Sequence, residues 1–356
     1  MIRPREHLFS VERDIQPYDS QEEDVLRLNM NEYIPYAAKH LYDEWLERIR
    51  PEILSAYPMV NAAYAAISKL INEPVDKIVL TNGADGVVLS ALQAFCNPGD
   101  LVGYVAPTYG MYQVYAEVLN LKFKCITYNS ELLINKNQIL DSITPSMKVF
   151  ILANPNGIFG DILEEDFVIQ MVEKGNKTGT LIVLDEVYAD FIDGGYSRYV
   201  SFTDVYDNLV IARSFSKSYG LAGVRVGYSI SNSQTRRFLI AVRNNVEINS
   251  MGVEAIKVWC SYPELLKESI HEILVSKNYV SQILEEYGIY VVKGTANFIV
   301  IRIDDEKHLE LYSALGKANI AVKCFEWYDY KYLRVTIGTQ KYMERFIEVI
   351  NTFFGG

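Results

Sequence analysis

Cysteine and histidine are both scarce. The 356-residue chain has four cysteines, Cys96, Cys125, Cys260 and Cys324, far apart and with no C-x-x-C pair, and its four histidines form no cluster. That argues against a zinc site, so no metal is expected and reduced or buried thiols are the default. Long hydrophobic runs are missing too: none approaches the roughly 20 apolar residues that span a bilayer. The opening MIRPREHLFSVERD carries no apolar signal-peptide core, so the expectation is a cytoplasmic protein with no membrane partner. Positive charge is in deficit, with 34 Lys and Arg against 45 Asp and Glu and a formal net charge of −11. A global field of that sign disfavours nonspecific binding to nucleic acid or anionic membranes, while leaving room for local basic pockets that hold phosphate. Internal repeats and low-complexity stretches are absent, and Gly and Pro are ordinary. What remains is a chain that is 49% apolar and long enough for one large domain and a smaller one.

The informative stretch runs from 181 to 227. Its apolar run Leu181-Ile182-Val183-Leu184 shows no polar alternation, which suits a strand buried on both faces of a parallel sheet, and it stops at Asp185. A second such run, Leu209-Val210-Ile211-Ala212, leads to Ser214, Ser216 and Lys217. In open α/β sheets ligands bind at the carboxyl ends of strands, so both runs deliver chemistry to one edge. Gly220 and Gly223 follow the lysine, and then Arg225, whose planar fork suits a phosphate. Alone, Asp185 reads as a cap and Lys217 as a solvated charge. Together they suit pyridoxal 5'-phosphate, which needs a lysine for its Schiff base, an acid against its ring nitrogen, and hydroxyls and a cation for its phosphate.

The D-E-x-Y element (Asp185, Glu186, Tyr188) and S-x-S-K-x-x-G-L-A-G-x-R-x-G over 214–227 resemble fold-type-I pyridoxal-phosphate enzymes, specifically the histidinol-phosphate aminotransferase-like branch of the class I/II aminotransferases. The resemblance implies an α/β, aspartate-aminotransferase-like fold: a mostly parallel sheet with helices on both faces, plus a smaller α+β C-terminal domain. The divisions expected are an N-terminal arm over 1–35, a large cofactor-binding domain over 36–245 and a small domain over 246–356. Tyr57, in Ala56-Tyr57-Pro58, is similar to the family tyrosine that reaches the phosphate of the neighbouring subunit, which implies a homodimer with shared sites. Gly83-Ala84-Asp85 lies in a glycine-rich turn over 82–86 that feeds a helix from 87, aiming free N–H groups at an anion. Tyr109 matches the residue that stacks on the cofactor ring.

Two places depart from the family pattern. After Leu28-Asn29-Met30-Asn31-Glu32 the chain reads Tyr33-Ile34-Pro35 instead of Asn-Pro, and after Asn154-Pro155-Asn156 it reads Gly157-Ile158-Phe159-Gly160 instead of N-P-T-G. The family's second asparagine, which meets the ring oxygen, is thereby lost at Gly157. Asn156 is expected as its substitute, with Tyr188 giving the other hydrogen bond to that oxygen. Both departures turn the substrate away from histidinol phosphate itself, with Tyr33 counted among the substrate contacts.

Further along, residues 236–259 read as one helix, 264–286 as another, and strand-like runs recur at 289–292, 298–303, 320–323 and 332–337. Asn297 matches a family element at the substrate entrance. Arg334 matches the arginine that binds the substrate carboxylate, and an arginine set among apolar strand residues is costly to leave unpaired.

The implied chemistry is ping-pong transamination between an amino donor and a keto acceptor, with Lys217, Asp185 and Tyr188 catalytic. The substrate expected is a small phosphorylated amine, amino acid or keto compound of a biosynthetic pathway. The alternative is decarboxylation of a phosphorylated amino acid such as phosphoserine or threonine phosphate, which keeps the same lysine, acid and arginine. A cofactor-sensing transcription regulator is disfavoured by the acidic charge and by the lack of a DNA-binding segment before Leu28.

Overall fold

The computed structural model describes residues 4–11, 24–33, 38–192, 198–303 and 305–355. Its strands are β1 (Leu26–Leu28), β2 (Ile78–Asn82), β3 (Leu101–Ala106), β4 (Lys122–Thr127), β5 (Met147–Ala153), β6 (Leu181–Asp185), β7 (Leu209–Ser214), β8 (Val226–Ile230), β9 (Tyr290–Val292), β10 (Phe298–Arg302), β11 (Ile320–Trp327) and β12 (Tyr330–Thr336). Seven form the larger sheet in the order β2-β8-β7-β6-β5-β3-β4. Its strands run parallel except β8, which is antiparallel to both neighbours.

Every residue of β6 and β7 is buried, as the unbroken apolar runs require. Alternate residues enter opposite cores: Ile182, Leu184, Leu209 and Ile211 face one side, and Leu181, Val183, Val210 and Ala212 the other. In register, Ala153, Asp185 and Ala212 lie side by side across β5, β6 and β7. The residues that follow each strand therefore emerge on one edge.

The smaller sheet has the order β1-β11-β12-β10-β9 and is antiparallel except for the β1–β11 pair. A second core, with Leu28, Phe298, Leu333 and Phe346, lies beneath it. Leu26–Leu28, expected within an N-terminal arm, thus forms an edge strand of the C-terminal sheet and carries Asn29, Met30 and Asn31 into the space between the sheets.

Three local expectations change. The helix expected over 236–259 is broken into Ser233–Val242 and Ser250–Trp259. Asn249 ends the break by accepting the Gly252 N–H at 2.7 Å, the competition with backbone bonding that makes asparagine a cap. The second of these helices, which a boundary after residue 245 assigns to the small domain, packs Val253, Ile256 and Trp259 in the core under the larger sheet. The turn expected over 82–86 is shorter, because Gly83 takes a φ of +67° and the helix Gly83–Phe95 begins there.

Candidate active site

Asp185 ends β6 and is buried. One carboxylate oxygen accepts the Tyr112 hydroxyl at 2.5 Å and the other accepts the Val187 N–H at 3.1 Å. Burial pushes the acid up to about 6, against the pull of those two hydrogen bonds and of the Lys217 charge. Tyr112 is itself held well above its ordinary value by burial and by Asp185, so it remains a protonated donor. A buried acid supported in this way is suited to a cationic ring nitrogen. Lys217 emerges beyond β7, and its amine donates to Met30 O at 2.9 Å and lies 5.8 Å from the centre of the Tyr188 ring.

A buried ion cluster stands behind these groups. Arg213 pairs with Asp190 at 2.6 Å and Glu186 at 3.3 Å, and the Ser218 hydroxyl donates to Asp190 at 2.5 Å. It ties the chain after Asp185 to the residue after Lys217, and removing one partner would strand a buried charge. The sequence signal for it was an arginine inside an otherwise apolar strand.

The residues expected to hold a phosphate come together at β7, β8 and the helix that starts at Gly83. Ser214 lies opposite Gly227 in the β7–β8 register, and its hydroxyl accepts the Ser216 N–H at 3.0 Å. Arg225, at a φ of +60°, donates from one terminal nitrogen to Asp85 at 3.0 Å and from the other to Ala222 O at 3.3 Å. A Cβ on Gly83 would lie 2.7 Å from the Arg225 guanidinium, and one on Gly227 would lie 2.3 Å from the Gly83 carbonyl carbon. These glycines let the guanidinium cross the start of a helix whose first N–H groups have no intrahelical acceptor. Tyr109 sets its ring edge against Tyr112 at 5.8 Å, and burial followed by the nearby Asp85 charge raises its hydroxyl. The arrangement fits pyridoxal phosphate: a bare cradle with a guanidinium for the phosphate, a buried acid for the ring nitrogen and an amine for the covalent link. Gly227→Ala is expected to cost at least about 2 kcal/mol and to weaken cofactor binding, since backbone and not a side chain must move. Thermal denaturation and cofactor titration of the variant would show it.

Asn156 and Tyr33 take partners other than those expected. The Asn156 amide nitrogen donates to Pro107 O at 3.0 Å, and its oxygen accepts the N–H groups of Ile158 at 2.7 Å and Phe159 at 3.0 Å. Asn156 therefore braces its own loop in this structure. Tyr33 is a core residue whose hydroxyl donates to Ser269 O at 3.3 Å, because burial of the ring leaves that carbonyl as its acceptor. Ile34 and Pro35 lie outside the described residues. Tyr57 is 86% exposed and makes no hydrogen bond to the groups above.

Arg334 donates to Gly157 O at 2.7 Å and Asn29 O at 3.2 Å, while its Nε is buried with no hydrogen-bond partner among the described residues. Burial lowers its proton affinity, against the smaller opposing influence of Tyr188. Asn297 donates to Asn31 O at 3.2 Å. Asn31 in turn donates to the Tyr188 hydroxyl at 2.8 Å, a contact that sequence reading missed along with Tyr112 and Thr336.

Fold and site together define a fold-type-I pyridoxal-phosphate enzyme. The model for aminotransferases of class I and II matches residues 23–350, and the chain belongs to that family as a pyridoxal-phosphate-dependent aminotransferase of the histidinol-phosphate aminotransferase-like branch. It is 30% identical to the histidinol-phosphate aminotransferase of Brachyspira hyodysenteriae over 95% of this chain and 96% of that protein. With the corresponding protein of Crocosphaera subtropica it shares 27% identity over 93% and 92%. The crystal structure of histidinol-phosphate aminotransferase from Sinorhizobium meliloti in complex with pyridoxal-5'-phosphate superposes with a TM-score of 0.87 at 18% identity, covering 100% of this chain and 98% of that one. Among the described residues no helix is long and apolar enough to cross a membrane, and no cluster of metal-ligating side chains occurs.

Proposed function

We propose that the enzyme transaminates a small phosphorylated amino compound against a keto-acid acceptor, as a cytoplasmic homodimer with shared sites. The observation that carries this reading is Arg334. Its buried guanidinium has neutral carbonyls on two nitrogens and no hydrogen-bond partner on the third among the described residues, and Asn29, one of those partners, adjoins Met30, which holds Lys217. An anionic substrate group is the natural complement at that place. Pyridoxal phosphate supplies the electron sink. Lys217 would take the proton from the substrate Cα and deliver it to the cofactor C4′, Asp185 would keep the ring nitrogen protonated, Arg225 and the helix start would hold the phosphate, and Arg334 would orient the donor.

The names of the relatives support a phosphorylated amine, and the departures at 33–35 and 158–159 favour one other than histidinol phosphate. The test is to mix the holoenzyme, without a keto acceptor, with histidinol phosphate, phosphoserine, threonine phosphate and their unphosphorylated counterparts, following the cofactor spectrum and released carbon dioxide. Stoichiometric conversion to the aminated cofactor by a phosphorylated donor is expected. Carbon dioxide with the original spectrum restored would replace the reading with decarboxylation.

Sharing of sites is supported by an apolar surface around Tyr57 that also exposes Leu54 and Met59, at 59% and 85%. Mixing Tyr57→Ala and Lys217→Ala dimers after subunit exchange should restore roughly a quarter of wild-type activity, since half the dimers are hybrids with one complete site. No recovery would argue for self-contained sites.

A further inference from the structure

We infer that Asn31 is a positioning residue that sets the direction in which the Tyr188 hydroxyl donates its proton; the inference rests on the cofactor reading above. Asn31 is buried, sits at a φ of +53°, and is gripped by Thr336 of β12. The Asn31 N–H donates to the Thr336 hydroxyl at 2.9 Å, and that hydroxyl donates its one proton to Asn31 Oδ1 at 3.3 Å. The amide orientation follows. Oδ1 is the acceptor end, so Nδ2 is the end that meets Tyr188, at 2.8 Å. A nitrogen that can only donate forces the Tyr188 oxygen to accept. The phenolic proton is then left over, with no acceptor among the described residues, on a ring 5.8 Å from the Lys217 amine.

The same loop geometry makes this matter. Asn156 has spent its amide on the loop, and position 157 has no side chain. Tyr188 is therefore left as the side-chain donor to the oxygen of the cofactor ring, and its aim depends on Asn31. Arg334 and Thr336 are two apart on β12, so one strand presents both the substrate cation and the end of this relay.

Asn31→Asp is nearly isosteric but replaces a donor by an acceptor, turning the Tyr188 proton away from the cofactor. A hydrogen bond given to the ring oxygen stabilises the negative charge left when the cofactor–lysine link loses its proton, so losing it raises the pH midpoint of the visible absorption change. The expected shift is upward by about one unit, the scale of one hydrogen bond to a charged group, with kcat reduced roughly tenfold to a hundredfold. Tyr188→Phe should give the same shift, and the double variant should add nothing further. Thr336→Val, which frees the amide to rotate, should shift the midpoint in the same direction by less, and it serves if Asn31→Asp does not fold. Gly157→Asn in the Tyr188→Phe background should return part of the shift, because a Cβ there lies 3.5 Å from the nearest Tyr188 atom and is unobstructed.

An unchanged midpoint in Asn31→Asp and Thr336→Val, or additive effects with Tyr188→Phe, would overturn the relay while wild-type enzyme still binds cofactor through Lys217. If the visible band survives in Lys217→Ala, the cofactor reading itself fails, and with it the basis for the relay.

Discussion

Lys217→Ala is expected to lose the visible absorption band of the lysine-linked cofactor and at least roughly 10⁴ in kcat, because a single amine serves as both the point of attachment and the base. The fold should survive. Among the described residues the amine makes one hydrogen bond, to Met30 O, and no ion pair depends on it. The melting temperature of the cofactor-free variant should therefore stay close to wild type, while cofactor added to the variant is held only through its phosphate and ring contacts. Rapid gel filtration would strip it, whereas the wild type would remain coloured. Multiple turnover in the purified variant would sink the assignment of Lys217.

Asp185→Asn is expected to have two effects of opposite sign. Activity should fall by roughly 10³ or more, since a neutral amide cannot hold the ring nitrogen protonated. The cofactor-free protein should become more stable at neutral pH. Burial raises the carboxyl from 3.8 to about 6 in the folded state, so the folded chain binds a proton that the unfolded chain releases. The stability linked to that proton is fully present below pH 3.8 and is lost as pH rises through about 6. At about 1.4 kcal/mol per unit, the charge burdens the cofactor-free fold by about 3 kcal/mol at pH 7 and above. Melting curves of both proteins without cofactor should diverge between pH 4 and 6 and run parallel above that. Equal pH slopes would show that Asp185 does not carry the perturbed titration. Bound cofactor should reverse the order, since its cationic ring nitrogen compensates the buried carboxylate. A protein that accepts an unstable acid in its empty state is exchanging stability for function at that residue.

The chemistry-bearing residues were legible because their signals are local. An unbroken apolar run marks a strand buried on both faces, and what lies at or beyond its end emerges at the sheet edge; the places of Asp185 at the end of β6 and of Ser214, Ser216 and Lys217 at and beyond the end of β7 needed no more than that. Gly83 and Gly227 likewise report the backbone's need for close approach, which the side-chain type alone encodes. The partners that Asn156 and Tyr33 take were not legible, for the opposite reason. Both carry polar groups able to serve a ligand, and which partner each takes depends on the nearest unsatisfied group once the chain is packed: Pro107 O and the loop N–H groups for one, Ser269 O for the other.

Composition and short motifs thus determined the cofactor and marked the residues proposed as its acid, its amine and its phosphate arginine. The tertiary structure alone decided the supports. Tyr112 reaches Asp185 across 73 residues, Arg334 reaches Asn29 across 305, and Thr336 grips Asn31 across the same 305. No periodicity or spacing records such pairs. The last two exist because β1 joins the C-terminal sheet and brings Asn29 to Asn31 between the two cores, where buried backbone groups take side-chain partners.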